Sequence, residues 1–238
     1  MNNSIIHRSN TRGHANHGWL NAYHSFSFAS WHNPERVQFG VLRVLNDDTV
    51  AAGMGFGTHP HDNMEIITIP LEGDLAHQDS MGNTETIHTG DVQIMSAGTG
   101  VQHSEFNPND DKQTKLFQIW LFPKIRNVVP RYQQITLDKT LQKNNFAQIL
   151  SPNLEDEGVW IYQDAWFYMS DFEKDFSKKL ALKKAGNGFY IMNIEGEIEV
   201  NAEKLETRDA IGIWDTAEIE IKANSNSKFL IMEIPMNQ

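Results

Sequence analysis

Short β-prone runs, each closed by a cluster of turn residues, follow one another along this chain and leave little room for long helices. Val37 to Leu45 reads as a strand running into the turn Asn46-Asp47-Asp48-Thr49. Met64 to Leu71 is a second strand, closed by Glu72-Gly73-Asp74. Leu75 to Ser80 and Thr84 to His88 flank Met81-Gly82-Asn83, a hairpin signal. Val92 to Met95 follows Gly90-Asp91, and Leu116 to Phe122 stops at Pro123. Only Asp138 to Asn144 and Asp171 to Lys179 are expected to be helical. Strands so closely spaced, with glycine-rich turns, predict an all-β sandwich or barrel.

The second half echoes the first. Leu71-Glu72-Gly73-Asp74 returns as Ile194-Glu195-Gly196-Glu197, and Gly90 to Met95 returns in Arg208 to Trp214. Phe117-Gln118-Ile119-Trp120-Leu121-Phe122-Pro123 returns as Phe229-Leu230-Ile231-Met232-Glu233-Ile234-Pro235. The common order of the echoes predicts a duplicated β-domain with its joint between Arg126 and Ser151. The chain of 238 residues is long enough for two such cores. The expected division is a first domain over 1–130, a linker over 131–150 and a second domain over 151–238.

Histidine is confined to the first of these. None of the 10 histidines lies beyond His103, and the chain has no cysteine. Disulfides and thiolate ligands are therefore excluded, and any histidine chemistry belongs to the first half. In Gly57-Thr58-His59-Pro60-His61 the two histidines are two apart, so an extended strand turns both imidazoles to one side. Pro60 suits a strand end or bulge. Gly98-Thr99-Gly100-Val101-Gln102-His103-Ser104-Glu105 offers a second pair at the same spacing. Together they supply three neutral nitrogens and one carboxylate oxygen. That set suits Fe(II), Mn(II), Zn(II), Ni(II), Co(II) or Cu(II) better than Mg or Ca, and leaves two positions open on a six-coordinate ion. His59 and His61 shifted by the first echo fall on Leu182 and Lys184, and the second pair falls near Ala217 to Glu220, again without histidine. The second copy is expected to keep the fold without the site.

The formal net charge is -11, spread over both halves, and no run of Lys and Arg stands against it. Direct nucleic-acid binding is disfavoured. The segment Met1 to Arg8 lacks a signal-peptide core, and no apolar run approaches the roughly 18 residues of a membrane span. The expectation is a soluble cytoplasmic protein.

At these residues the sequence resembles the pirin family, a bicupin branch of the cupin superfamily, over nearly its whole length. Gly53, His59-x-His61, Glu65 and Gly73 follow the first cupin motif; Gly90, Gly98, His103 and Asn107 follow the second, with Ser96 in place of the usual Pro. Arg12 to Leu20, His24 to Phe28, Leu42 to Asp48 and His77 to Asn83 look pirin-like. Gly55 to Thr58 and Ile94 to Gly100 look closest to the bacterial branch associated with quercetinase activity. The resemblance implies two jelly-roll-type cupin barrels in tandem, with one divalent metal, iron first, held in the first barrel by His59, His61, His103 and Glu105. The general cupin pattern implies instead His59, His61, Glu65 and His103. The implied activity is flavonol 2,3-dioxygenation of the quercetin type, with O2 as co-substrate and Glu105 as both ligand and base. The family also implies two other readings: a redox-sensitive metal-binding partner of regulatory proteins or enzymes, and a catalytically silent bicupin. His14, His17, His24 and His32 are read as a pocket lid or as packing, and His77 and His88 as structural or exposed. The tryptophans are read as core, and Met54, Phe56, Met64, Met95 and Phe106 as an apolar wall around the metal.

Overall fold

The computed structural model describes residues 3–237; Met1 and Asn2, in the N-terminal segment read above, lie outside it. Two units of the same design follow one another. In the first, a seven-stranded antiparallel sheet runs in the order Arg131–Thr136, Asp91–Ser96, Glu65–Glu72, Thr114–Leu121, Leu42–Val50, Leu20–His24, Gly13–Asn16. It is accompanied by a four-stranded sheet, in the order Gly55–His61, Val101–Phe106, Leu75–Asp79, Thr84–Ile87. In the second, the large sheet runs Asn3–His7, Ala210–Trp214, Asn187–Glu195, Ser227–Pro235, Trp166–Phe172, Ala147–Ser151, Val159–Trp160. Its smaller companion runs Ser177–Ala181, Glu218–Ala223, Ile198–Val200, Glu203–Leu205. The molecule is an all-β bicupin.

The two strand orders match at their five central positions and differ at both edges: at one, Gly13–Asn16 runs antiparallel to Leu20–His24 where Val159–Trp160 runs parallel to Ala147–Ser151. The edge that Arg131–Thr136 fills in the first sheet is filled in the second by Asn3–His7, which pairs antiparallel with Ala210–Trp214. The N-terminal strand thus completes the second unit. The segment 131–150, read from sequence as a linker, begins with a strand of the first sheet and ends in one of the second.

Period-two alternation assigns each large-sheet residue to one of two cores. Ile67, Ile69, Val92, Ile94, Phe117 and Ile119 turn outward and meet Phe167, Tyr190, Met192, Leu230 and Met232 of the other unit in one continuous core. The alternate residues fill the barrels. In the second barrel these are mostly apolar, including Phe189, Ile191, Ile211, Ile213, Phe229 and Ile231, with Ser170 and the hydrogen-bonded pair Asn187 and Glu233 as buried polar exceptions. In the first, small apolar clusters around Leu116 and around Ile66 leave space between them for polar side chains.

Three local expectations are corrected. The first long strand is Leu42–Val50, so Asn46-Asp47-Asp48-Thr49 is not a turn. The polar residues that suggested a turn lie on a strand whose inner face carries Asn46 and Asp48. Asp138 to Asn144 contracts to a single 3-10 turn over Lys139–Gln142, whose Thr140 N–H donates to the Asp138 side chain at 2.9 Å. Asp171 to Lys179 is no helix. It is the end of one strand, a turn and the start of another, because Phe172 and Phe176 pack into the second barrel.

Candidate metal centre

His59 and His61 lie on Gly55–His61, and His103 and Glu105 on Val101–Phe106. These two strands are antiparallel neighbours, with His103 opposite His59 and Val101 opposite His61. Two residues apart on each strand, the side chains share the barrel face. The register shifts beyond His103, so that Glu105 stands opposite Phe56. Gly57 and Thr58 together face Ser104, a β-bulge that returns Phe56 to the inner face beside Glu105.

The three imidazoles form a tight cluster. Ring centroids are 4.4 Å apart for His59 and His103, and 4.9 Å for His61 with each of the others. One ligand atom from each lies within 4.8 Å of the others. His59 Nδ1 is 2.8 Å from the Gly57 carbonyl. That oxygen only accepts, so Nδ1 carries the proton and Nε2 keeps a free lone pair. His61 Nε2 and both nitrogens of His103 are buried without a hydrogen-bond partner. Burial first, and His59 second, lower the His61 pKa to about 4 and that of His103 to about 3. Both are neutral donors at pH 7. Buried nitrogens without protein partners, in a converging neutral cluster, are what a transition-metal ion requires of its site.

Glu105 is 2% exposed. Gln118 Nε2 donates to its Oε2 at 2.5 Å and Thr68 Oγ1 to its Oε1 at 3.3 Å. Burial nevertheless pushes its pKa up to about 7. Its carboxylate falls in a second close group with His103 and His77 rather than in the one formed by His59, His61 and His103. His103 belongs to both groups and joins them.

Glu65 is not brought to the histidines. It shares the outward phase of Ile67 and Ile69, and accepts from the Ser96 hydroxyl at 2.8 Å and from the backbone N–H of Tyr162. The register of its strand therefore argues against the general cupin set.

Three neighbours were missed in the sequence. His77, expected to be structural or exposed, is buried opposite Glu105 and 5.3 Å from the His103 ring. Its Nε2 lies 3.1 Å from Asp79 Oδ2, which accepts, so the unpartnered Nδ1 presents a lone pair. Gln118 sets the Glu105 carboxylate. Trp120, read as core, meets the His61 ring edge-on at 4.9 Å and donates through Nε1 to Gln118 Oε1 at 3.1 Å. Strand phase was the available signal, since residues 118 and 120 share one face.

A pocket of about 240 Å³ opens beside the cluster, lined by His59 and Glu105 together with Leu20, Ala22, His24, Phe28, Asn46, Asp48, Phe56, Gln118 and Trp120. Of the four N-terminal histidines only His24 reaches it, buried and 2.9 Å from Asn46 Oδ1. Of the five residues expected as its apolar wall only Phe56 lines it. Met95 and Met64 pack behind Ile66, and Met54 and Phe106 are 43% and 46% exposed. A larger groove of about 690 Å³ runs between the domains past Asp62 and Lys124, but contains none of the clustered donors.

The second barrel holds none of this chemistry. Gly73 and Gly196, both left-handed (φ 76 and 82), anchor the alignment of the two units. Even a bulge is repeated: Lys115 opposite Glu72 then Leu116 opposite Pro70, and Lys228 opposite Glu195 then Phe229 opposite Asn193. Registers then pair Thr68, Gln93 and Gln118 with Ile191, Ile211 and Ile231. His59, His61, His103 and Glu105 correspond to Leu180, Leu182, Ile219 and Ile221, and His77 to Val200. The sequence echo that set Gln118 against Leu230 was one residue out, and the first shift, which gave Leu182 and Lys184, was two out. A one-residue slip moves a side chain to the other face.

The comparisons agree with this architecture. The Pirin family model matches residues 6–121, and the model described as Quercetinase C-terminal cupin domain matches residues 148–234. A protein of Escherichia coli strain K12 named quercetin 2,3-dioxygenase is 43% identical over 97% of this chain and 98% of its own. A pirin-like protein of Caulobacter vibrioides is 38% identical over 93% of this chain and 95% of its own. The crystal structure of a bacterial pirin, YhhW, from Escherichia coli in complex with nickel(II) is 41% identical, with a TM-score of 0.92 over 98% of this chain and 99% of that one.

Proposed function

The chain belongs to the pirin family, and from that premise we propose that it is a metal-dependent dioxygenase acting on flavonol-like aromatics. The observation that carries this reading is the adjoining of three groups in one pocket. They are the converging imidazoles of His59, His61 and His103, a buried carboxylate of raised basicity, and an apolar-walled space of about 240 Å³ lined by His59 and Glu105. His59, His61, His103 and Glu105 would hold one divalent ion, for which we propose iron. A divalent ion bound there supplies Lewis acidity toward the substrate's enol oxygen and brings dioxygen within reach.

The chain's own groups divide the remaining work. Phe56, Trp120 and Leu20 exclude water and take up the flat face of the substrate. Glu105 accepts the proton of the flavonol 3-hydroxyl. Burial raises its basicity in the metal-free site, and its carboxylate lines the pocket in which that hydroxyl would sit. Gln118 and Thr68 fix the carboxylate so that little reorganisation accompanies proton transfer. The product is the ring-opened ester formed with loss of carbon monoxide.

Oxygen uptake and carbon monoxide release with quercetin, on metal-reconstituted protein, test the proposal. Wild type should exceed free metal ion clearly. Glu105→Gln, which keeps an oxygen but cannot take the proton, should lose about 10²–10⁴-fold in turnover and less in metal content. Wild-type release no faster than free metal would overturn the enzyme reading.

A further inference from the structure

Asp48 lies 3% exposed on the inner face of Leu42–Val50 and lines the same pocket as His59 and Glu105. Its neighbours on the flanking strands are Ala22 and Leu116, neither with a polar side chain. The Asp48 side chain accepts no hydrogen bond from any described residue: its Oδ1 is buried without a partner, and the carboxyl group lines the pocket. Asp47, one residue earlier, faces the other way and has Arg12 at 3.0 Å. A buried carboxyl without a partner is costly, and persists where something else supplies the partner.

We propose that Asp48 is a second anchor for the aromatic substrate, hydrogen-bonding a ring hydroxyl and so selecting polyhydroxylated flavonols over unsubstituted ones. This rests on the dioxygenase reading above and adds a substrate-contacting residue to it. A phenolic hydroxyl both donates and accepts, so it satisfies a carboxyl in either protonation state. The surroundings favour the neutral acid, since burial first, and the charges of Asp47 and Glu105 after it, raise the pKa to about 8. A neutral acid is compatible with an aromatic ligand that carries no positive charge. Ala22 beside it leaves room for a ring edge, and Phe28, Phe56 and Trp120 supply apolar walls. Glu105 serves the 3-hydroxyl while Asp48 reads a hydroxyl elsewhere on the ring system.

The test compares quercetin with 3-hydroxyflavone, which keeps the 3-hydroxyl but lacks the other ring hydroxyls. Binding to metal-free protein is followed by tryptophan fluorescence quenching, with carbon monoxide release by metal-loaded protein measured in parallel. Wild type should bind quercetin about 10- to 100-fold more tightly than 3-hydroxyflavone, the range of one well-made hydrogen bond to a buried polar group. Asp48→Leu should abolish that preference, and the near-isosteric Asp48→Asn, whose amide donates and accepts, should retain part of it. A preference equal in all three proteins, or absent from wild type, would overturn the role of Asp48. Failure of the dioxygenase reading shows separately, as absent carbon monoxide release, and leaves the binding comparison to be judged by itself.

Discussion

Glu105 and Glu65 are both buried carboxylates with pKa values raised to about 7 by burial, yet Glu105 points into the first barrel from the four-stranded sheet while Glu65 points out of it from the seven-stranded sheet. Metal content separates them. Glu65→Gln should leave the metal stoichiometry unchanged, because its partners Ser96 and Tyr162 lie on the outward face. Gln118→Leu should lower metal affinity about 10- to 100-fold, the usual cost of losing a group that orients a ligand, since it removes the 2.5 Å donor to Glu105. Isothermal titration of apo-protein with a divalent metal reads both; equal losses in the two variants would contradict the assignment. The histidines and Glu105 were legible in the sequence because identical two-residue spacings and their glycine context are local signals. His77, Gln118 and Asp48 were not. Their roles depend on which strands become neighbours and on strand phase. In the case of Asp48, a run of polar residues looked locally like a turn.

The strand Asn3–His7 crosses to the second sheet and ends on His7, a buried residue whose Nδ1 is 2.9 Å from the Tyr190 hydroxyl and whose Nε2 has no partner. Burial, and then Arg36, lower its pKa from 6.5 to about 4. The folded state thus resists protonation while the unfolded chain accepts it near pH 6.5. Stability is unaffected above that pH, declines as pH falls, and levels off near pH 4, at a cost of up to about 3 kcal/mol. Urea melts of metal-free protein should show a shallower acid decline in His7→Gln than in wild type, and identical slopes would refute the linkage. Nothing local marked this strand as part of the second unit; its pairing partner lies some two hundred residues away. The hairpins were readable because turn and strands are contiguous. The echo around Gln118 was found but placed one residue out, since apolar runs align equally well in either phase and only the repeated bulge fixes it.

Two barrels of one design carry opposite interiors. Where the first has Thr68, Gln93, Gln118 and the ligand cluster, the second has isoleucine and leucine, and it packs its outer sheet face against the first in a shared core. It covers the back of the sheet that carries Thr68 and Gln118, the hydrogen-bond donors to Glu105. Ile231→Gln, at the position matching Gln118, buries an amide among aliphatic side chains. It should lower stability by about 2–4 kcal/mol while leaving metal content unchanged, as thermal melts and elemental analysis would show. No histidine or cysteine lies beyond His103, and His7, the one histidine on the strands of the second unit, stands alone beside the Tyr190 hydroxyl, so that unit gathers no cluster of imidazole or thiolate donors for a transition metal.

Anomalous diffraction at the metal absorption edge, from crystals of protein reconstituted with ferrous iron, locates the ion directly. The expected result is one peak per chain, bounded by His59, His61, His103 and Glu105. A peak ligated by Glu65, or one inside the second barrel, would contradict it.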